Sequence, residues 1–106
     1  MTEVELFEEA LVQLAKILEY SKRNLEDEVV VDAIALRLAT MIDTLSRLSE
    51  LTLMESFGEN WKLMRGMRNR IAHGYMTVDP EAVAATVQKD LPQIESAIRS
   101  YLSDSA

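Results

Sequence analysis

Apolar residues return at three- and four-residue steps along most of this chain, and the steps mark out helices. Leu6, Phe7, Ala10, Leu11, Leu14, Ile17 and Leu18 form the stripe of an amphipathic helix that reaches about Lys22, with Glu8, Glu9, Lys16 and Glu19 on its wet side. Thr2, followed three residues later by Glu5, is a capping-box pattern in which each side chain satisfies an otherwise unpaired amide, so the helix starts there.

After a polar connection over 21–28, a second segment runs from about Glu28 to Glu50 without glycine or proline and reads as one helix. The run VVV at 29–31 alone would suit a buried strand, but the stretch is too long and too rich in Ala and Leu for that. Between Val29 and Ile42 apolar residues fall on nearly every side, and a helix apolar all round is buried all round. A small chain has little interior for both faces, which predicts a homodimer with one face of this helix against a partner subunit.

Leu51 to Glu59 reads as an irregular connection with Gly58 as breaker, its apolar LTLM start offering to prolong the second helix. A third helix, about Asn60 to His73, turns Trp61, Met64, Met67 or Arg68, and Ile71 inward, and Gly74 is placed to end it. Asp79-Pro80-Glu81 is a restart signal, Asp as N-cap and Pro at the first helical position. The fourth helix runs to about Lys89. Pro92 then predicts a break or kink, and Asp90 with Gln93 offers a second capping box for a fifth helix to about Leu102. The pattern predicts a single domain over residues 1–106, an all-α antiparallel bundle of four to five helices. Met41, Met54, Met64 and Met67 read as core filler and Trp61 as a packing anchor.

The 106 residues include 48% apolar and 27% charged positions, an ordinary globular balance. Cysteine is absent, which excludes disulfides, thiolate metal sites and a cysteine nucleophile. The start, MTEVELFEEA, is acidic where a secretory signal is basic, and no apolar run approaches the length of a membrane span, so a cytoplasmic protein without a membrane partner is expected. The net charge of −7 argues against indiscriminate binding of polyanions. Its distribution changes that picture. Lys62, Arg65, Arg68 and Arg70 lie within nine positions, no acid occurs between Asn60 and Val78, and the rest of the chain carries −11. Such a patch holds a phosphate locally or presents a solvated helix face; Lys62, Arg65 and Arg70 equally suit RNA and the acidic surface of a partner.

The single histidine, His73, ends the basic helix in the run Arg68-Asn69-Arg70-Ile71-Ala72-His73-Gly74-Tyr75. Helical spacing puts Arg65, Asn69 and His73 near one face, while Arg68 must reach with its long arm toward a histidine five residues on. From these residues alone, His73 also reads as a cation complementing the helix dipole.

The run RNRIAHGY, with Trp61 ahead and VDPEAVAATVQKDLP behind, resembles the C-terminal half of HepT-type HEPN-domain toxins. Their Arg-x-x-x-x-His-x-Tyr marker, with Asn after the Arg, is present in full as Arg68, Asn69, His73 and Tyr75, and the match covers roughly Trp61 to Leu102. Where such proteins usually carry Gly-Glu in the second helix, this chain has Ile42-Asp43, which keeps a carboxylate. The resemblance implies a dimeric helical bundle in which two motifs share one cleft, acting as an endoribonuclease that needs no metal and no cofactor. It also implies a toxin–antitoxin pair, with a nucleotidyltransferase antitoxin that, in related systems, adenylylates the tyrosine corresponding to Tyr75. A noncatalytic HEPN module that binds or regulates such a nucleotidyltransferase is the alternative.

The residue types suit the implied chemistry. RNA is cut without metal when a base takes the 2′-hydroxyl proton and an acid protonates the departing 5′-oxygen, and imidazole serves both roles near neutrality. Arg68 would stabilise the pentacoordinate phosphate, and Asn69 would orient His73 or bind phosphate. A metallonuclease fits less well, since hard cations want several oxygen ligands and the next acid after His73 is Asp79.

Overall fold

Thr2 and Glu5 close the expected capping box: the Glu5 amide donates to the Thr2 hydroxyl at 3.1 Å and the Thr2 amide to the Glu5 carboxylate at 2.9 Å. From there the computed structural model describes residues 1–73 and 79–105. Among the described residues the regular elements are helices, with no strand: α1 (Glu3–Ser21), α2 (Glu28–Leu45), α3 (Glu50–Phe57), α4 (Asn60–His73), α5 (Pro80–Ala85) and α6 (Leu91–Asp104). The all-α bundle read from the periodicity is what forms. The short turn over 22–27 folds α2 back along α1, their main packing partner being each other.

The second helix is shorter than its pattern suggests. It ends at Leu45, and 51–57, expected to be irregular, belong to the separate helix α3. Side chains rather than glycine or proline make this break. The Ser46 hydroxyl donates to the Asp43 carbonyl at 2.6 Å and the Thr44 hydroxyl to the Thr40 carbonyl at 3.0 Å, local bonds that compete with helix continuation. Ser49 then caps α3 by accepting from the Thr52 amide. Glu3, in the first turn of α1, completes the corner: its carboxylate accepts from the Ser49 amide at 2.9 Å and from the Thr52 hydroxyl at 2.8 Å. Gly58 ends α3 at φ +57°, where a Cβ would be strained.

The apolar all-round character of α2 has its cause inside the single chain. Helix α1, α4 and α5 pack against α2, and Val31, Ile34, Ala35, Leu38, Met41, Ile42 and Leu45 are buried. Only Val29 and Leu36 of its large apolar side chains stay well exposed, at 74% and 64%. The run therefore describes a central helix, and the apolar excess does not itself require a partner subunit.

All six described helices feed one core, running from Leu6 and Phe7 to Leu91 and Ile98. Phe7 stacks on Tyr101 of α6 at 4.2 Å between ring centroids and meets Phe57 of α3, which in turn tilts against Trp61 of α4. Trp61 is thus the packing anchor its position predicts. Met41 and Met64 are buried and Met67 half-buried, as core filler should be, whereas Met54 is 61% exposed and fills nothing.

Pro92 does not break the chain. Residues 86–90 widen into a π turn, the Leu91 amide donating to the Thr86 carbonyl five residues back, so the helix passes from α5 to α6 while accommodating the missing N–H and the bulk of the ring. The expected Asp90–Gln93 capping box does not form, because Asp90 has helical dihedrals and its side chain caps nothing.

Candidate functional site

Helix α4 carries most of the residues singled out by the sequence. It starts after the Gly58 turn, and its hydrophobic edge, Met64 with the half-buried Trp61, Met67 and Ile71, seats it on the core. The polar remainder faces outward as a consequence. Arg65, Asn69 and His73 recur at four-residue spacing and are exposed, as predicted. His73 is the last residue of α4. Lys62 and Arg70, also exposed, both line a groove against α6. Gly74 and Tyr75 lie outside the described residues, and with them the expected helix stop and modification site.

Arg68 stands apart from its neighbours. Its guanidinium turns to α2 rather than toward His73: Nε donates to Oδ1 of Asp43 at 2.6 Å and Nη2 donates to Oδ2 at 3.3 Å. This bidentate geometry uses one edge of the fork, and the side chains are 32% and 52% exposed for Arg68 and Asp43. The Asp43 hydrogen bond, then its charge, holds the Arg68 proton still more firmly than usual, so Arg68 is a fixed cation. The reach toward His73 expected from sequence is therefore replaced by a cross-helix pair, because α4 packs on α2 and brings Asp43 within range.

Asp43 is the site residue to which the sequence reading assigned no role. Its signal is the carboxylate at 43 following an apolar residue on α2, and only the packing of α2 on α4 shows that it meets Arg68. Chemically, the arrangement provides an oriented guanidinium held on the α2 side and an exposed amide and imidazole on the outward face of the same helix, which carries no acids. That suits an anion with spread charge, such as a phosphodiester. Among the described residues no group of three His, Asp or Glu side chains gathers as a metal-ligand set, and no helix is long and apolar enough to cross a membrane.

The profile of a family described as Ribonuclease HepT-like matches residues 7–101. No curated protein and no solved structure matches the chain.

Proposed function

The chain belongs to the HepT-like ribonuclease family, and from that membership we propose that it is a metal-independent endoribonuclease, the toxin of a pair restrained by a nucleotidyltransferase antitoxin. The observation that carries the reading is Arg68, held edge-on by Asp43 on a helix whose exposed face presents Asn69 and His73. His73 serves as base or acid to the 2′- and 5′-oxygens. Arg68 stabilises the negative charge of the phosphorane, and Asn69 orients the imidazole or holds phosphate. Lys62, Arg65 and Arg70 steer the strand onto α4.

Each chain has one histidine, whereas transesterification uses a base and an acid. A two-fold homodimer supplies both by bringing two α4 faces together, with Arg68 and His73 from each chain. The support for dimerisation lies in this count and in the exposure of His73, not in α2, whose apolar run the chain itself covers. Tyr75, two residues from His73, is where an adenylyl group from the antitoxin would add bulk and negative charge and oppose RNA phosphates.

The test is cleavage of RNA by the purified chain in excess chelator, with product ends analysed. Cyclic 2′,3′-phosphate ends, lost in both Arg68→Ala and His73→Ala, are expected. Cleavage that stops in chelator overturns the metal-free mechanism, and unaltered cleavage by both variants removes the site.

A further inference from the structure

A groove of about 350 Å³ lies between α4 and α6, with the last turn of α3 also lining it. Buried Phe57, Met64, Thr86 and Ile94 and half-buried Met67 line it, with exposed Lys62, Arg70, Asp90 and Gln93 among its outer residues. Lys62 and Arg70 stand on the α4 side, Asp90 and Gln93 on the other. Among the described residues no ion pair joins either cation to Asp90, so opposite charges face each other across the groove without meeting. The unformed capping box explains how. Asp90 sits in the helical path created by the π turn, its carboxylate bonds no helix amide, and it lines the groove together with Gln93. Gly66 opens the opposite wall. A glycine inside a helix is costly, yet here a Cβ would meet only the Arg70 guanidinium, at 3.6 Å.

We propose that this groove is a base subsite for RNA, taking a guanine. The Asp90 carboxylate accepts from the N1–H and N2–H of the base, Met67 and Ile94 flank its faces, and Arg70 and Lys62 reach the phosphates. Charge complementarity selects this occupant: a nucleotide is an anion with an aromatic body and a donor edge, matching cations, apolar side chains and a carboxylate in turn. Uracil presents two carbonyl oxygens around one N–H and is repelled by Asp90. Arg70 and His73, three residues apart, are neighbours on the surface of α4, which sets the groove beside the histidine. The inference rests on the ribonuclease reading for its ligand and adds to it a preference that the Arg68–His73 motif alone does not provide.

The test uses the isotope-labelled full-length chain titrated with 5′-GMP and 5′-UMP, following the amide signals of Gly66, Met67 and Ile94. Saturable shifts with GMP are expected, with UMP about tenfold weaker, the discrimination of one bidentate contact to a base edge. Asp90→Asn should erase that difference. Gly66→Phe, which fills the groove from a position with room for a side chain, should abolish the shifts while the circular dichroism spectrum is retained. A 2′-O-methyl UGU trinucleotide, which cannot be cut, should bind more tightly than GMP because Lys62 then meets a second phosphate. No gain over GMP would make the groove a free-nucleotide site and overturn its place in RNA binding. Equal response to the two nucleotides, or no response, overturns the subsite. RNA cleavage without GMP binding defeats the groove alone, whereas GMP binding by a chain that cuts no RNA keeps the groove as a nucleotide site and removes the ribonuclease reading.

Discussion

Arg68 of α4 and Asp43 of α2 meet along a single edge of the guanidinium, at 2.6 Å and 3.3 Å, and this pair ties the family motif to the central helix. Exposed pairs of this kind add little to folding, so the proposed site gives this one the task of orienting Arg68. Asp43→Asn should leave the melting curve nearly unchanged while kcat for RNA cleavage falls on the order of 10- to 100-fold, the scale of a misplaced reacting group. KM should stay close to the parent value, because the cation remains. Asp43→Glu, which keeps the charge, should recover part of the rate. An unaltered kcat in Asp43→Asn would show that Arg68 needs no partner to act.

Gly58 supports a second, purely structural expectation. Its φ of +57° closes α3 and turns the chain into α4, and a Cβ there meets strain rather than crowding, since its nearest neighbour would be the Met54 carbonyl at 3.8 Å. Gly58→Ala should cost about 1–3 kcal/mol in denaturant unfolding. The comparison is Gly66→Ala, in ordinary helical backbone, which should stabilise by roughly 0.5–1 kcal/mol.

Acid should loosen the corner where α1 meets the start of α3. The Glu3 carboxyl is held below its usual range by the Ser49 amide first and the Thr52 hydroxyl second, and Glu5 is lowered by the Thr2 amide and hydroxyl. A group whose folded value is depressed contributes stability above its unfolded value, near about 4.3 for glutamate, and that contribution is lost as pH falls through the lower folded value. Glu3→Gln should therefore be less stable than the parent at pH 7 and converge with it in strong acid. Parallel pH profiles for the two would remove Glu3 from the account.

These corners mark the limit of what the sequence makes legible. Helix α1, helix α4 and the Pro80 restart follow from spacing and caps, because each is decided by residues within a few positions. The end of α2 was not legible, since Ser46, Ser49 and Glu3 act together only after the chain has folded back on itself. The same holds for the site. Arg68, Asn69 and His73 are readable as a motif, but Asp43 lies 25 residues from Arg68 and meets it only through packing. The groove depends on a π turn that periodicity cannot distinguish from a kink at Pro92.

Tyr75 gives a prediction that concerns regulation. Co-expression with a nucleotidyltransferase partner should place an adenylyl group on Tyr75, detected by mass spectrometry of the intact chain and its peptides. Its phosphate and nucleoside, two residues from His73, would exclude the RNA strand by charge and bulk. A Tyr75→Phe chain should then escape restraint. Normal restraint of that variant, with no adduct on the parent, would leave masking of the α4 face as the mechanism.

The histidine count leads to the strictest test of the proposed composite site. One chain offers His73 alone, and cleavage uses a base and an acid, so the proposal draws the second imidazole from a partner subunit. Sedimentation at micromolar concentration should give about twice the chain mass. A mixed dimer of one parent chain and one His73→Ala chain should then cut RNA in excess chelator at far less than half the parent rate, because loss of either imidazole leaves one proton transfer unassisted. The same mixed dimer should bind RNA nearly as well as the parent, since Arg68 and Asn69 are intact in both chains. Half the parent rate would instead mean that each subunit works alone, with water or another group completing the proton transfers, and the two-fold cleft would have no catalytic purpose.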